Sequence, residues 1–306
     1  MTSDEWKPRI GFIGLGSMGR PMAARLRGAG FALTVFDARA EAVQECIRDG
    51  AAAAAVPADV ARHCDVVITM LPNGDIVRSV VLDGDNCLLA AMPPHGVLID
   101  MSSSSPTGTR SLGRTLAERG IAMLDAPVSG GVPRAETGTL SIMVGGDAAV
   151  IDRCRPVLQA MGERIFTTGP LGSGHAMKAL NNLVSAAGLI AATEALLVGH
   201  RFGLDPNVMI DVLNASTGRN NSTENKFKQF VLSRRFASGF SIDLMVKDLT
   251  TAVDLAHATG TPAPFSATCR ELWAAAQGQL ESGADHTAVV RWFEMLAKAT
   301  LDEEAR

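Results

Sequence analysis

Arg9 to Gly30 reads RIGFIGLGSMGRPMAARLRGAG. Arg9 to Ile13 is a short β-type run. Gly14-Leu15-Gly16-Ser17-Met18-Gly19 follows directly, and Arg20 to Gly30 carries a helical pattern. A GxGxxG alone is a weak signal. Between a strand and a helix it has a mechanism: its glycines allow a tight turn, close approach of a pyrophosphate, and close helix packing. The unpaired N–H groups and dipole at the helix N-terminus then face the phosphates.

The second strand, Ala32 to Phe36, ends in Asp37, about 20 residues past the fingerprint, where an acid accepts from the adenosine ribose hydroxyls. That favours NAD over NADP. Arg39 pulls the other way, since an arginine here can hold a 2′-phosphate. The plainer alternative for Asp37 is capping of the next helix. Further strands are read at Val66 to Met70 and Val97 to Asp100. Leu71-Pro72-Asn73 ends the first, and Met101 to Pro106 follows the second. Ligands collect at the ends of parallel strands, which puts Leu71, Pro72, Asn73 and Ser103 on the nicotinamide side. One of the four serines is expected to cap the helix over Thr107 to Glu118.

Ile121 to Ala126 reads as a strand leading into Ser129-Gly130-Gly131. This turn offers backbone N–H groups and a hydroxyl with little bulk, a cradle for a carboxylate. A tight turn that needs glycine for its backbone angles is the competing reading. Thr139 to Gly145 alternates like a half-buried strand, Asp147 is placed to cap a helix to Met161, and Arg164 to Thr167 is a last strand. The sheet domain is assigned to 1–170.

From His175 a long apolar helix is expected to run to about Arg201, with Gly203 stopping it. Near its start, Lys178 and Asn182 lie four apart and share a face. A solvated lysine is the plain reading of such a residue. Asp205-Pro206 opens another helix. Arg219 to Asn225, RNNSTEN, reads as a polar surface or substrate-mouth loop, and Phe236 to Phe240 as an aromatic loop able to read a substrate tail. Ser241 to His257 reads helical and carries Lys247, on pattern alone a surface residue. Arg270 to Glu281 and Thr287 to Leu301 read as amphipathic helices. The chain is therefore α/β: an N-terminal Rossmann-type doubly wound sheet, then an all-α C-terminal domain over 171–306, joined by a long helix.

The 306 residues suit two domains. A hydrophobic fraction of 47% and net charge of −4 are those of an ordinary globular chain, and no basic block points to nucleic acid. The pair Arg234-Arg235 reads as solvated surface. No signal peptide is read in MTSDEW, and the apolar run after Asn182 is interrupted by Glu194, so no membrane partner is expected. Five scattered cysteines argue against a disulfide framework or zinc site and for buried thiols in a reducing, cytoplasmic setting. No metal is expected.

Four stretches in series, GFIGLGSMGRPMA, DAPVSGGVPRAETGTLSIMVGG, GHAMKALNNL and LMVKDL, closely resemble the β-hydroxyacid dehydrogenases over roughly Arg9 to Ala297. The resemblance implies that Lys178 is the catalytic lysine and Asn182 the substrate-orienting asparagine. It places substrate binding on Ser129, Gly130 and Gly131, and cofactor contacts on Leu71, Pro72, Ser103 and Lys247. Where many members read D-x-S-T, this chain reads Asp100-Met101-Ser102-Ser103. The implied reaction is reversible hydride transfer between NAD, with NADP less favoured, and a small β-hydroxy acid such as 3-hydroxyisobutyrate or glycerate/tartronate semialdehyde. A homodimer or homotetramer is usual for the family. An imine reductase shares this architecture but typically has another residue at the lysine position. A non-catalytic NAD-binding scaffold protein is the rival from another class, and relatives of that type have lost the lysine.

Overall fold

The computed structural model describes residues 6–302. The chain divides into two compact units, Met1–Lys178 and Ala179–Arg306. The expected boundary after Pro170 precedes the long helix, whereas the division falls inside it.

Among the described residues of the first unit nine strands form one sheet: β1 Ile10–Ile13, β2 Leu33–Phe36, β3 Ala52–Ala53, β4 Val66–Thr69, β5 Val97–Asp100, β6 Ala122–Asp125, β7 Val128–Ser129, β8 Leu140–Gly145 and β9 Gly162–Gly169. Their order is β3-β2-β1-β4-β5-β6-β8-β7, with β9 paired to β8. The first six are mutually parallel, whereas β8 runs antiparallel to β6 and β7. The run 3-2-1-4-5-6 is that of a doubly wound dinucleotide-binding sheet.

Residues of β1, β4 and β5 are buried throughout. Val66, Ile68, Val97 and Ile99 join one core, while Val67 and Leu98 join another on the opposite face. Continuous apolar runs are what a parallel sheet covered on both faces requires. Two short strands were not expected. β3 lies in a run of alanines, which carry little strand signal, and β7 is two residues long. Beyond β7, the expected Ser-Gly-Gly turn opens a short helix, Gly131–Thr137.

The helix Ser173–Phe202 leads into the second unit. By length and composition it is apolar enough to cross a membrane, but half of its most apolar stretch is buried inside the protein. Leu189, Leu196 and Leu197 pack with Ile210, Phe227, Trp273 and Phe293 in the second unit's core. Gly203 follows the helix with φ +100°, a C-terminal stop that favours glycine. Helices Pro206–Asn214, Ile242–Ala258, Pro264–Gln277 and Val289–Ala297 complete the layer. Asp205 and Ser241 cap the first two.

The segment expected as a loop at Arg219 to Asn225 folds instead into the helix Asn221–Asn225, closed by an Asn220–Thr223 capping box. Ser222 and Thr223 are buried. Arg234 also departs from the solvated reading: its guanidinium grips buried Glu294 through two hydrogen bonds, 2.6 and 2.9 Å. Phe236 lies beneath Arg234, and Phe240 meets the His286 ring edge-on, so both rings are engaged within the second unit.

Candidate active site

The parallel register brings the strand ends into one row. Ile13 pairs with Phe36 and Thr69, Thr69 with Asp100, and Asp100 with Asp125. The segments that leave these strands carry the fingerprint, Asp37, Leu71 to Asn73, Ser103 and Ser129 to Gly131. Gly14 has φ +98°, and a Cβ there would come within 2.3 Å of the Met70 carbonyl oxygen. A Cβ on Gly19 would strike the carbonyl of Gly14. Gly16 differs: nothing lies within 4 Å of its would-be Cβ. Protein packing therefore does not demand glycine at Gly16, whereas the approach of a pyrophosphate does. Leu15 is buried, Ser17 exposed and Met18 half-buried. Among the described residues no side chain caps the helix Gly19–Gly28; the Arg20 amide donates to the Gly16 carbonyl at 3.1 Å and Pro21 has no N–H, so an anion here would meet the loop end and the Gly19 end of the helix.

Asp37 is held from both sides. One carboxylate oxygen accepts from the Leu15 amide at 2.6 Å, the other from the Arg39 amide at 2.8 Å and its Nε at 3.4 Å. The helix Ala40–Arg48 has Arg39, not Asp37, at its N-cap. Asp37 thus ties the end of β2 to the fingerprint loop.

The four serines divide their work. Ser102 Oγ accepts from the Leu71 amide at 2.9 Å, Ser104 Oγ donates to Asp100 at 2.7 Å, and Ser105 caps the helix Pro106–Ala117. Ser103 is half-buried between two buried serines. Asn73 caps the helix Gly74–Leu82, its Oδ1 accepting from the Ile76 amide at 2.9 Å; Pro72 is exposed.

Ser129 ends β7 opposite Ser141. Gly130 and Gly131 follow with φ +135° and +66°, so both glycines are required by the backbone. Ser129 is half-buried and the two glycines are exposed.

The helix bearing Lys178 starts against the sheet. Asp125 Oδ1 accepts from the Gly172 amide and Oδ2 from the His175 amide, each at 2.7 Å. A carboxylate from the neighbouring strand thus serves amides at the start of the helix. Lys178, half-buried, lies one turn beyond His175. The sequence reading missed Asp100, Asp125 and His175; their only signal is polar side chains inside otherwise apolar segments.

In the second unit, buried Asn182 donates through Nδ2 to Asp248 Oδ2 at 2.5 Å, and Asn181 donates to its Oδ1 at 3.2 Å. Lys247 Nζ pairs with Asp248 Oδ1 at 3.5 Å. Asp248 therefore serves two expected site residues at once. Among the described residues no cluster of three or more His, Cys, Asp or Glu side chains could hold a metal.

A family profile for the NAD binding domain of 6-phosphogluconate dehydrogenase matches residues 9–169. One for the NAD-binding region of NADP-dependent 3-hydroxyisobutyrate dehydrogenase matches residues 172–293. The 2-(hydroxymethyl)glutarate dehydrogenase of Eubacterium barkeri is 38% identical, over 94% of this chain and 95% of that protein. This chain belongs to the β-hydroxyacid dehydrogenase family. This chain is also 38% identical to the NAD-dependent L-serine dehydrogenase of Pseudomonas aeruginosa, over 94% of this chain and 98% of that one. The structure of Mycobacterium tuberculosis 3-hydroxyisobutyrate dehydrogenase with L-serine superposes on the dehydrogenase with a TM-score of 0.87. That structure is 36% identical, and the match covers 94% of this chain and 99% of that chain. The dehydrogenase is thus an oxidoreductase of the NAD(P)-binding class. Its open Gly16 face, uncapped helix and fixed Asp37 fit a dinucleotide.

Proposed function

We propose that this dehydrogenase interconverts a small β-hydroxy acid and its carbonyl partner with NAD, using Lys178 as acid and base. The observation that carries this reading is the Lys178–Asn182 pair on one helix, whose first turn is bound to Asp125 and whose asparagine is bound to Asp248. When bound, the nicotinamide supplies the hydride acceptor and donor. The Ser129 hydroxyl and the amides of Gly130 and Gly131 receive the substrate carboxylate. Neutral Lys178 takes the hydroxyl proton as the carbon-bound hydrogen leaves, and returns it in the reductive direction. As an ammonium it stabilises the alkoxide charge, an effect of roughly 3–4 kcal/mol in comparable sites. Asn182 orients the substrate through its carboxamide. Leu71, Pro72, Asn73, Ser103 and Lys247 hold the cofactor, with the fingerprint residues Gly14 to Gly19 on its pyrophosphate.

NAD is read as favoured over NADP because Asp37 follows β2 beside the fingerprint loop, where it would meet the ribose, and its carboxylate engages the Arg39 guanidinium, which a 2′-phosphate would otherwise need. L-Serine, 3-hydroxyisobutyrate, 2-(hydroxymethyl)glutarate and glycerate form the first substrate panel. The enzyme is read as a cytoplasmic homodimer or homotetramer. The deciding assay follows reduced nicotinamide with each acid, with NAD and with NADP, for the wild type and Lys178→Ala. We expect one acid to turn over and the variant to lose ~10²–10⁴-fold in kcat, the range of general acid–base groups. Near-wild-type turnover by the variant would remove Lys178 from the mechanism.

A further inference from the structure

We propose that His175 is a positioning residue for Lys178, a role that rests on the acid–base reading of that lysine. His175 is 1% exposed and stands between two buried carboxylates. Its Nε2 lies 3.7 Å from Asp100 Oδ2 and its Nδ1 3.8 Å from Asp125 Oδ2. Its closer partners are polar groups of other segments. Nε2 is 3.2 Å from the Ser102 carbonyl oxygen, which can only accept, so Nε2 carries a hydrogen. Nδ1 is 2.8 Å from Thr109 Oγ1 on the helix Pro106–Ala117. Asp100 is occupied in turn by Thr69 Oγ1 at 2.9 Å, the Ser102 amide at 3.0 Å and Ser104 Oγ at 2.7 Å.

One imidazole therefore joins the loop after β5, the helix behind that loop, and the first turn of the Lys178 helix. Two glycines let the parts approach. A Cβ on Gly145 would lie 2.5 Å from Asp125 Oδ1 and 2.7 Å from Ser173 Oγ. A Cβ on Gly174 would lie 2.3 Å from the Met143 carbonyl oxygen and 2.8 Å from that of Asp125. The helix start thus rests closely on β6 and β8, with the Asp125 carboxylate and the Ser173 hydroxyl at the contact. Helix residues three apart are neighbours on the surface, so fixing His175 fixes the turn that presents Lys178. The Ser102 carbonyl immediately precedes Ser103, so the same imidazole sets the lysine against the loop expected to touch the cofactor. A buried polar cluster is stabilising only when its members are satisfied, and when satisfied it specifies one arrangement. A leucine at His175 would bury just as well and specify nothing.

The test compares His175→Leu with His175→Gln, since glutamine keeps a donor for Ser102 and an acceptor for Thr109. Folding is monitored by thermal unfolding and NAD binding by titration. We expect kcat of His175→Leu to fall ~10²-fold, the scale of a 1 Å misplacement, with the NAD Kd within twofold of wild type. Glutamine is expected to recover most of kcat. The double variant with Lys178→Ala should lose no more than Lys178→Ala alone, because both act through the lysine. If His175→Leu does not fold, Thr109→Val decides by the same split between kcat and Kd. Should Lys178→Ala lose turnover while folded His175→Leu, or Thr109→Val in its place, keeps wild-type kcat, the positioning role is wrong and the lysine assignment stands. Loss of NAD affinity in parallel with kcat, or no recovery by glutamine, also overturns it, pointing to a general structural role. Turnover by Lys178→Ala itself would sink the underlying reading instead.

Discussion

The carboxamide of Asn182 donates to the carboxylate of Asp248 across 2.5 Å in the buried interior of the second unit. This bond decides which way the amide faces. One Nδ2 hydrogen is committed to Asp248, and Oδ1 points to the Asn181 side, where it accepts at 3.2 Å. Asn182 is thereby held in one orientation, with both ends of its carboxamide engaged.

Asp248→Ala should therefore reduce activity without touching the substrate. It leaves a buried amide donor unsatisfied and breaks the 3.5 Å pair with Lys247. We expect kcat/KM to fall about 10²-fold. Asp248→Asn, whose Oδ1 still accepts from Asn182, should lose clearly less. Equal losses in the two variants would show that orientation of the amide is not what Asp248 provides. Steady-state kinetics on the accepted acid settle the matter.

Cofactor choice should follow Asp37. Replacing it by alanine removes a charged acceptor at the proposed ribose position and releases Arg39. Hydrogen bonds to charged groups contribute about 1.5–3 kcal/mol, so the NAD:NADP preference should shift roughly 10- to 100-fold toward NADP. Arg39→Ala alone should change NAD affinity little. An unchanged ratio of KM values in Asp37→Ala would place discrimination elsewhere.

Stability should depend on Arg234, although the sequence presents it as half of a surface Arg-Arg pair. Its fork holds Glu294, which is 4% exposed and also accepts from the Leu301 amide at 3.0 Å. Arg234→Met strands a buried carboxylate, a loss of about 3–5 kcal/mol. Lysine cannot reproduce the two-point contact and should restore only part. Urea unfolding midpoints would report both variants, and an unaffected midpoint in Arg234→Met would contradict the pairing.

Acid should weaken the fold through His286. Burial, then the charge of Lys226, push its imidazole down to about 4 from 6.5. Between those values the unfolded chain takes up a proton that the folded chain excludes. Stability is therefore level above pH 6.5 and declines as the pH falls toward 4, by about 3 kcal/mol at 1.36 kcal/mol per pKa unit. Asp285 beside it does not add to that window. Burial raises its carboxyl, but hydrogen bonds from Thr287 and Ser238 hold it below its ordinary 3.8, so it loses stability only in stronger acid. Denaturant titrations at pH 7 and 4.5 should show the slope in the wild type and a flatter one in His286→Gln. Identical slopes would remove His286 as the cause.

Legibility in the sequence tracks how local each constraint is. The fingerprint is readable because Gly14 needs a positive φ and Gly19 must clear a carbonyl a few residues away. β1, β4 and β5 are readable because burial on both faces leaves uninterrupted apolar runs. Asp205 and Asp147 declare their helices through caps formed within three residues. Long-range features leave no such mark. The partner of Arg234 lies sixty residues away, and His175 resembles any polar residue at a helix start until Asp100, Asp125 and Thr109 are brought around it. Asn220 to Thr223 is a local signal in an unusual form, since the box is completed by threonine instead of the usual glutamate or glutamine.

All five cysteines are buried, and burial drives the thiols of Cys64, Cys154 and Cys269 up to about 11. Thiolate, the reactive form, is scarce at these three positions at neutral pH, so alkylating reagents and mild oxidants find them chemically quiet. Labelling then waits on opening of the chain around each sulfur. Cys64 and Cys154 belong to the sheet unit and Cys269 to the helical one. The native chain therefore carries its own clocks, and mass-resolved alkylation would time the breathing of each half without an introduced probe.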